Sequence, residues 1–382
     1  MATTHWVGTG LSSIPGLKAL IQSGRSVIAW NRTVETAQAA LEEVEADIRA
    51  YRFEDLAAVL KAGDVVVSML PGDHHVGLAK LCIEHKAHFV CSSYISPEMR
   101  ALDAEATAAG VCVINEVGLD PGIDHLMAHE LVARYRQSAA FDPANRHSFR
   151  SYCGGIPKFP NAFRYKFSWS PLGVLKALKS PSKSLKDGKP LMVDRPWDAI
   201  SKYEVPLSPP ETFEAYPNRD STVFLAPYHF GADWKIDTFV RGTLRLDGWE
   251  KAWTPVFREI ETLSGEAGEA RLREMAAAFW RDNAYDEGEP DRVVLSVELD
   301  VENAEGKVFH QTYILDAWGD ARGSAMARLV SGTVKLAIEG VLEGHLPAGV
   351  SAAPSDLATV ETWMAEVASA SQVLNRVDHL AG

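Results

Sequence analysis

The sequence predicts an α/β protein in two parts: a doubly wound parallel sheet of the dinucleotide-binding kind, then an α+β substrate domain with a mixed or antiparallel sheet. Three observations carry this. Through the first 114 residues, short apolar runs alternate with amphipathic helical segments, the pattern of a parallel sheet with helical crossovers. Gly8-Thr9-Gly10 stands at the first strand-to-helix turn. Beyond about Arg136 the alternation stops and period-two segments take over.

THWVGTG reads as the first strand running into its turn, and LSSIPGLKALIQSG as the helix after it. SVIAWN is the second strand, VETAQAALEEVEA the second helix and DIRAY the third strand. FEDLAAVLKAG, DVVVSML, VGLAKLCIEHK, AHFVCSS, SPEMRALDAEATAAG and VCVIN continue the series to a sixth strand. NEVGLDPGIDH follows, where Gly118, Pro121 and Gly122 force a tight path, and IDHLMAHELVARY has apolar residues at helical spacing.

In the second half SFRSYCGG reads as a strand, IPKFPNAFRYKFSWSP as an aromatic connection and VLKALKSPSKSLKDGK as a helix with a basic tail. WTPVFREIETL and ARLREMAAAFWRDNAY read as helices. FVRGTLR, VVLSVELDV and VFHQTYILDAW alternate as strands, the last two joined by the hairpin turn ENAEGK. GSAMARLVSGTVKLAIEGVLEG is a long helix closed by Gly344. The expected organisation is a dinucleotide-binding domain over 1–122 and a substrate-binding and dimerisation domain over 123–320, with a helical insertion near 249–285. Carboxy-terminal helices over 321–382 are expected to pack back on the first domain.

Lys plus Arg number 38 against 51 Asp plus Glu, a net charge of -13, which disfavours nucleic acid and anionic membrane as partners. No apolar run reaches the length of a bilayer span and no secretory leader precedes the first strand. Cys82, Cys91, Cys112 and Cys153 show neither CxxC spacing nor a disulfide framework, so a reducing cytoplasm is expected. No metal is expected, because no His, Cys and carboxylate cluster has ligand spacing along the chain. The hairpin and the small-residue helix suggest a homodimer.

At the first turn Gly8 permits a tight bend, Gly10 lets a pyrophosphate approach the backbone, and Leu11 and Ser12 lead into a helix amino-terminus with free N–H donors. The third small position is Ser13 rather than Gly, a departure from the Rossmann fingerprint that keeps a small side chain. An NAD enzyme places an acid at the end of the second strand. Here Asn31-Arg32-Thr33 stands instead, and Arg32 suits a 2′-phosphate, so the cofactor expected is NADP(H). The plain alternative is a surface arginine before a helix capped by Thr33. Leu70 and Pro71 should border the nicotinamide half, and Ser92 joins the cofactor set.

Asp120 lies at the carboxyl end of a strand, the edge where open parallel sheets bind ligands. Its alternative role is a helix N-cap, with Pro121 at the first helical position. Tyr94, Asp120, Cys153 and His125 are candidates for handling protons. His125 is more simply a packing histidine, and Cys153, before two glycines, is either close to ligand or a buried thiol. Trp169 either covers the nicotinamide or belongs to the core. Two segments, 218–221 and 241–245, carry arginines suited to fork-like binding of carboxylates, or else to pairing with Asp220 or Asp237. Strand alternation puts Arg241 and Arg245 on one face.

Several blocks together resemble the NADP-dependent, glutamate-forming saccharopine dehydrogenase family, also called saccharopine reductase: TGLSSIPGL, SSYISPEM, NEVGLDPGIDHLMA, SYCGGIP, YKFSWSPLGVLKAL, KDGK, AYPNRDST, FVRGTLR and GSAMARLV. They run from the first strand to about Gly349. The SYCGG–YKFSW pair and YPNRDS are the specific ones. The resemblance implies reduction of an imine formed between glutamate and aminoadipate semialdehyde, a step of lysine metabolism. It implies Arg219 and Arg241 as carboxylate ligands, Gly242 and Thr243 as hydrogen-bond donors beside them, and Ser93, Tyr94, Asp120 and Cys153 around saccharopine. Two other functions stay open. One is a carboxynorspermidine-synthase-like imine reductase, which needs carboxylates where this chain has arginines; the other is an NADPH-binding sensor without turnover.

Overall fold

The computed structural model describes residues 2–381. In chain order the first elements are β1 (Thr4–Val7), α1 (Ile14–Gln22), β2 (Val27–Asn31), α2 (Val34–Ala40), β3 (Asp47–Ala50), α3 (Phe53–Val59) and β4 (Val65–Ser68). Next come α4 (His75–His85), β5 (His88–Cys91), α5 (Pro97–Arg100), α6 (Asp103–Ala109), β6 (Cys112–Ile114) and α7 (Ile123–Gln137). Then follow β7 (Arg146–Pro157), α8 (Pro171–Leu178), β8 (Ser182–Lys186), β9 (Lys189–Val193), β10 (Ser201–Val205), β11 (Glu211–Pro217) and β12 (Lys235–Leu246). The chain closes with α9 (Trp249–Thr262), α10 (Gly265–Asn283), β13 (Asp291–Asn303), β14 (Gly306–Trp318), α11 (Ala325–Leu342), β15 (Gly349–Ser351), α12 (Leu357–Ala370) and β16 (Val373–Asp378). It divides into two compact units, 1–126 with 327–370 and 127–326 with 371–382.

The first unit is built on a seven-stranded sheet in the order β15-β6-β5-β4-β1-β2-β3, every pairing parallel. Val65, Val66 and Val67 are fully buried, as strands covered on both faces must be. Six of its strands are those the alternation predicts. The seventh, β15, is three residues drawn from the far end of the sequence to pair with β6, too short to announce itself. The expected single helix over SPEMRALDAEATAAG is instead α5 and α6, split at Ala101 and Leu102. Gly16 explains how α1 meets α11. Its N–H donates to Ser331 Oγ at 2.8 Å, and a Cβ on it would stand 2.1 Å from the Ser331 carbonyl oxygen. Only glycine allows that approach.

The second unit carries a mixed sheet, β10-β11-β12-β7-β13-β14-β16, with β8 and β9 attached through β12. The β12–β7 pair is parallel and the neighbouring pairs are antiparallel. The tail after α8 corrects the sequence reading. It is the hairpin β8–β9, turned at Asp187 and Gly188, both in the left-handed region with φ of 51° and 71°. In β8 the buried side chains are Ser182 and Ser184, so no apolar alternation marks it as a strand. Likewise the last segment ends in β16 rather than in helix. Tyr165, Phe167, Trp249 and Trp253 form an aromatic core with α8, α9 and α10.

Candidate active site

In the first unit the turn after β1 is a tight one. Gly8 takes a φ of 101°, its N–H donates to the Trp30 carbonyl at 2.8 Å, and Thr9 N–H reaches Asn31 Oδ1 at 3.4 Å. Gly10 is exposed, lies outside the left-handed region, and nothing stands within 4 Å of the place a Cβ would occupy. The fold therefore has no use for its missing side chain. Gly10→Ala should leave the thermal midpoint nearly unchanged, within about 0.5 kcal/mol. It should weaken NADPH binding about tenfold, through roughly 1.4 kcal/mol of crowding. Fluorescence titration and thermal melting read the two separately. At the end of β2, Arg32 and Thr33 are exposed, and Asn31 Nδ2 donates to the Thr33 carbonyl at 2.8 Å, shaping that turn.

The loops leaving β5 and β6 bring several predicted residues together. Tyr94 Oη donates to Asp120 Oδ1 at 3.1 Å. Helix α7 begins at Ile123, and the Gly122 N–H is taken by Asp124 Oδ1 at 2.7 Å. Gly118 N–H donates to the Pro121 carbonyl at 2.9 Å and Ile123 N–H to the Gly118 carbonyl at 3.1 Å, so the loop is closed by its own backbone. Glu116 Oε1 accepts from Ile95 N–H at 2.9 Å, tying the two loops to each other. Its Oε2 lies 2.9 Å from His125 Nε2, which gives the buried His125 a hydrogen-bonding partner. Burial pushes the Cys91 thiol up to about 12, an inert neighbour of the site.

In the second unit the two arginine segments are fastened to one another. Asn218 N–H donates to the Arg241 carbonyl at 2.9 Å, Arg241 N–H donates to Ser221 Oγ at 2.9 Å, and Ser221 Oγ donates back to the Arg241 carbonyl at 3.4 Å. Arg219 sits in this turn with a φ of 56° and is exposed, and its carbonyl accepts from Lys183 N–H at 2.8 Å. Arg241 is 4% exposed, its guanidinium carbon 4.1 Å from the centre of the Phe224 ring. Asp220 is taken by Thr222 and by Lys183 at 3.6 Å, and Asp237 by Arg146 at 2.7 Å.

Strand register then adds Gly242, opposite Pro217 and Tyr152, and Thr243, opposite Tyr216 and Cys153. A Cβ on Gly242 would stand 2.3 Å from the Tyr216 carbonyl oxygen. Trp169 is half-buried, its indole N–H donating to Tyr165 Oη at 3.3 Å. Arg245, on the face it shares with Arg241, is enclosed by Tyr165, Tyr216 and Trp249 at 4.8, 5.6 and 5.4 Å.

Sequence reasoning passed over Glu116, Phe224 and His75, because each acts through a partner remote in the chain. It also passed over Glu298, Asp300 and His310, which strand pairing brings within metal-ligand reach of one another. Arg150 at 3.4 Å from Glu298 and Lys307 at 2.7 Å from Asp300 already supply the counter-charge there.

Comparison with known proteins agrees along the chain. The model of the saccharopine dehydrogenase NADP binding domain matches residues 5–114, and that of the saccharopine dehydrogenase C-terminal domain matches residues 118–372. The saccharopine dehydrogenase [NADP(+), L-glutamate-forming] of Pyricularia oryzae is 31% identical over 89% of this chain and 90% of its own length. The alpha-aminoadipic semialdehyde synthase of Arabidopsis thaliana is 36% identical over 58% of this chain, but that stretch is only 21% of the larger protein. Among solved structures, the apo saccharopine dehydrogenase (L-Glu forming) of Saccharomyces cerevisiae superposes with a TM-score of 0.83 at 27% identity, covering 99% of this chain and all of the other. By both of its domain models and by a relative aligned along most of its length, this chain belongs to the saccharopine dehydrogenase family.

Proposed function

We propose that the chain is an NADP-dependent oxidoreductase of CH–NH bonds that interconverts saccharopine with glutamate and aminoadipate semialdehyde, in lysine metabolism. The observation that carries the substrate is the junction of Arg219 and Arg241, two guanidinium groups on segments bound to each other through Asn218 and Ser221. Saccharopine has three carboxylates, and fork-shaped cations bind carboxylates best. A polyamine would meet repulsion in the same place.

In the direction of synthesis the glutamate amine adds to the aldehyde carbon and water leaves as the C=N bond forms. NADPH, when bound, supplies hydride to the imine carbon, and a proton at nitrogen completes the secondary amine. Asp120 and Tyr94 form a hydrogen-bonded pair able to hold and pass protons in that sequence. Ser93, Cys153, Gly242 and Thr243 complete the substrate set in this reading. Gly8, Gly10, Leu11, Ser12, Asn31, Arg32, Thr33, Leu70, Pro71, Ser92 and Trp169 hold the dinucleotide. A homodimer in a reducing cytoplasm goes with it; the compartment accords with four cysteines that form no disulfide, three of them buried. No described helix is long and apolar enough to cross a membrane.

Absorbance at the NADPH band tests the reading, with NADP+ and saccharopine against NADP+ and carboxynorspermidine. Turnover of saccharopine alone is expected. Turnover of carboxynorspermidine alone would move the chain to polyamine metabolism, and tight NADPH binding without either turnover would make it a sensor. Arg32→Ala should weaken NADPH binding by roughly tenfold or more and NADH binding hardly at all, since only NADPH carries the 2′-phosphate that a guanidinium engages. Equal losses would remove Arg32 from the phosphate site.

A further inference from the structure

His75, the first residue of α4, is buried between the ends of two strands of the first unit. Its Nδ1 lies 2.9 Å from Oγ of Ser68, the last residue of β4, and its Nε2 lies 2.9 Å from Oγ of Ser93, just past β5. Burial lowers its pKa to about 4, so at working pH the ring is neutral, with one N–H and one lone pair.

The hydrogen-bond network assigns the proton to one nitrogen. Ser68 is 1% exposed, and among the described contacts its hydroxyl meets only His75. With the proton on Nδ1, Ser68 would accept it and its own O–H would be buried with nothing to donate to, at about 1–3 kcal/mol. With the proton on Nε2 nothing is stranded: Ser68 O–H donates to Nδ1, Nε2–H donates to Ser93 Oγ, and the half-buried Ser93 keeps its own O–H to donate.

We propose that His75 is a positioning residue: through the Ser68–His75–Ser93 chain it sets the Ser93 hydroxyl as a donor to a carboxylate oxygen of bound saccharopine. This rests on the reading of saccharopine as substrate, and it adds a source of selectivity. The opposite tautomer would consume the Ser93 O–H and turn oxygen lone pairs toward the ligand, which suits an ammonium group and repels a carboxylate. The carboxylate preference of this position is thus written in a buried side chain that does not touch substrate.

Nitrogen-15 NMR of the imidazoles, with the His75 signals identified by their loss in His75→Gln, reads the tautomer directly. A bare Nδ1 and a protonated Nε2 are expected, and the reverse overturns the proposal. In steady-state kinetics His75→Leu should raise KM for saccharopine about tenfold, with kcat and the NADPH dissociation constant each within about twofold. His75→Gln, whose amide N–H reaches the Nε2 position, should recover most of the loss. In a Ser93→Ala background His75→Leu should change KM no further. Additive losses, or a Gln variant as poor as Leu, would overturn the positioning role. A wild-type protein inert toward saccharopine would sink the substrate reading and the carboxylate with it. An active wild type with the proton on Nδ1 would sink the His75 role alone.

Discussion

Arg241→Lys is expected to lower kcat/KM for saccharopine about a hundredfold while NADPH binding stays within about twofold. The substitution keeps the charge and removes the fork. A bidentate guanidinium–carboxylate pair has two charge-assisted hydrogen bonds, each worth about 1.5–3 kcal/mol, and an ammonium replaces at most one of them. Losing about 2.7 kcal/mol is a factor of about a hundred. The geometry makes the fork specific. Arg241 is buried with its guanidinium carbon 4.1 Å from the centre of the Phe224 ring, a cation–ring contact that an ammonium on a flexible stem reproduces poorly. Steady-state kinetics with saccharopine and fluorescence titration with NADPH measure the two quantities. Full kcat/KM in the lysine variant would reduce Arg241 to a packing residue and remove the main support for the substrate.

Gly122→Ala should destabilise the protein by about 2–6 kcal/mol. Two costs add. Gly122 holds a φ of 146°, a region essentially closed to L side chains, at about 1–3 kcal/mol. Its Cβ would also lie 2.1 Å from the Gly118 carbonyl oxygen and 2.4 Å from the Gly118 nitrogen. Both are backbone atoms that no rotamer change can move, and overpacking of this kind costs about 1–3 kcal/mol more. Relief would require opening the Gly118 to Pro121 hydrogen bond that closes the loop carrying Asp120. Denaturant titration checks the stability, and turnover should fall with it. Beside Gly10→Ala, the contrast separates a glycine the fold requires from one reserved for the ligand. A Gly122→Ala variant as stable as wild type would mean the loop has slack that its hydrogen bonds do not show.

The parallel sheet, the Gly8–Gly10 turn and the missing acid at Asn31–Thr33 were all legible in the chain. They depend on local chemistry: apolar runs between turns, glycine at a sharp bend, and the residue type that ends a strand. The arginine segments were legible as types of side chain, and the saccharopine dehydrogenase resemblance gave them roles.

Only the folded chain decided where those side chains stand. The sequence allows Asp120 to be a helix cap, whereas in the folded chain helix α7 begins at Ile123 and Tyr94 donates to the Asp120 carboxylate. The hairpin β8–β9 hides its strand character because the residues β8 buries are Ser182 and Ser184. Strand β15 comes from more than 200 residues away in sequence to complete the sheet beside β6. The Ser68–His75–Ser93 chain and the Asn218–Ser221–Arg241 junction join residues that share no period and no spacing. A sequence records each residue's propensity and charge. Which hydroxyl meets which ring nitrogen is set by non-local strand pairing and close packing, and these exist only once the chain has folded.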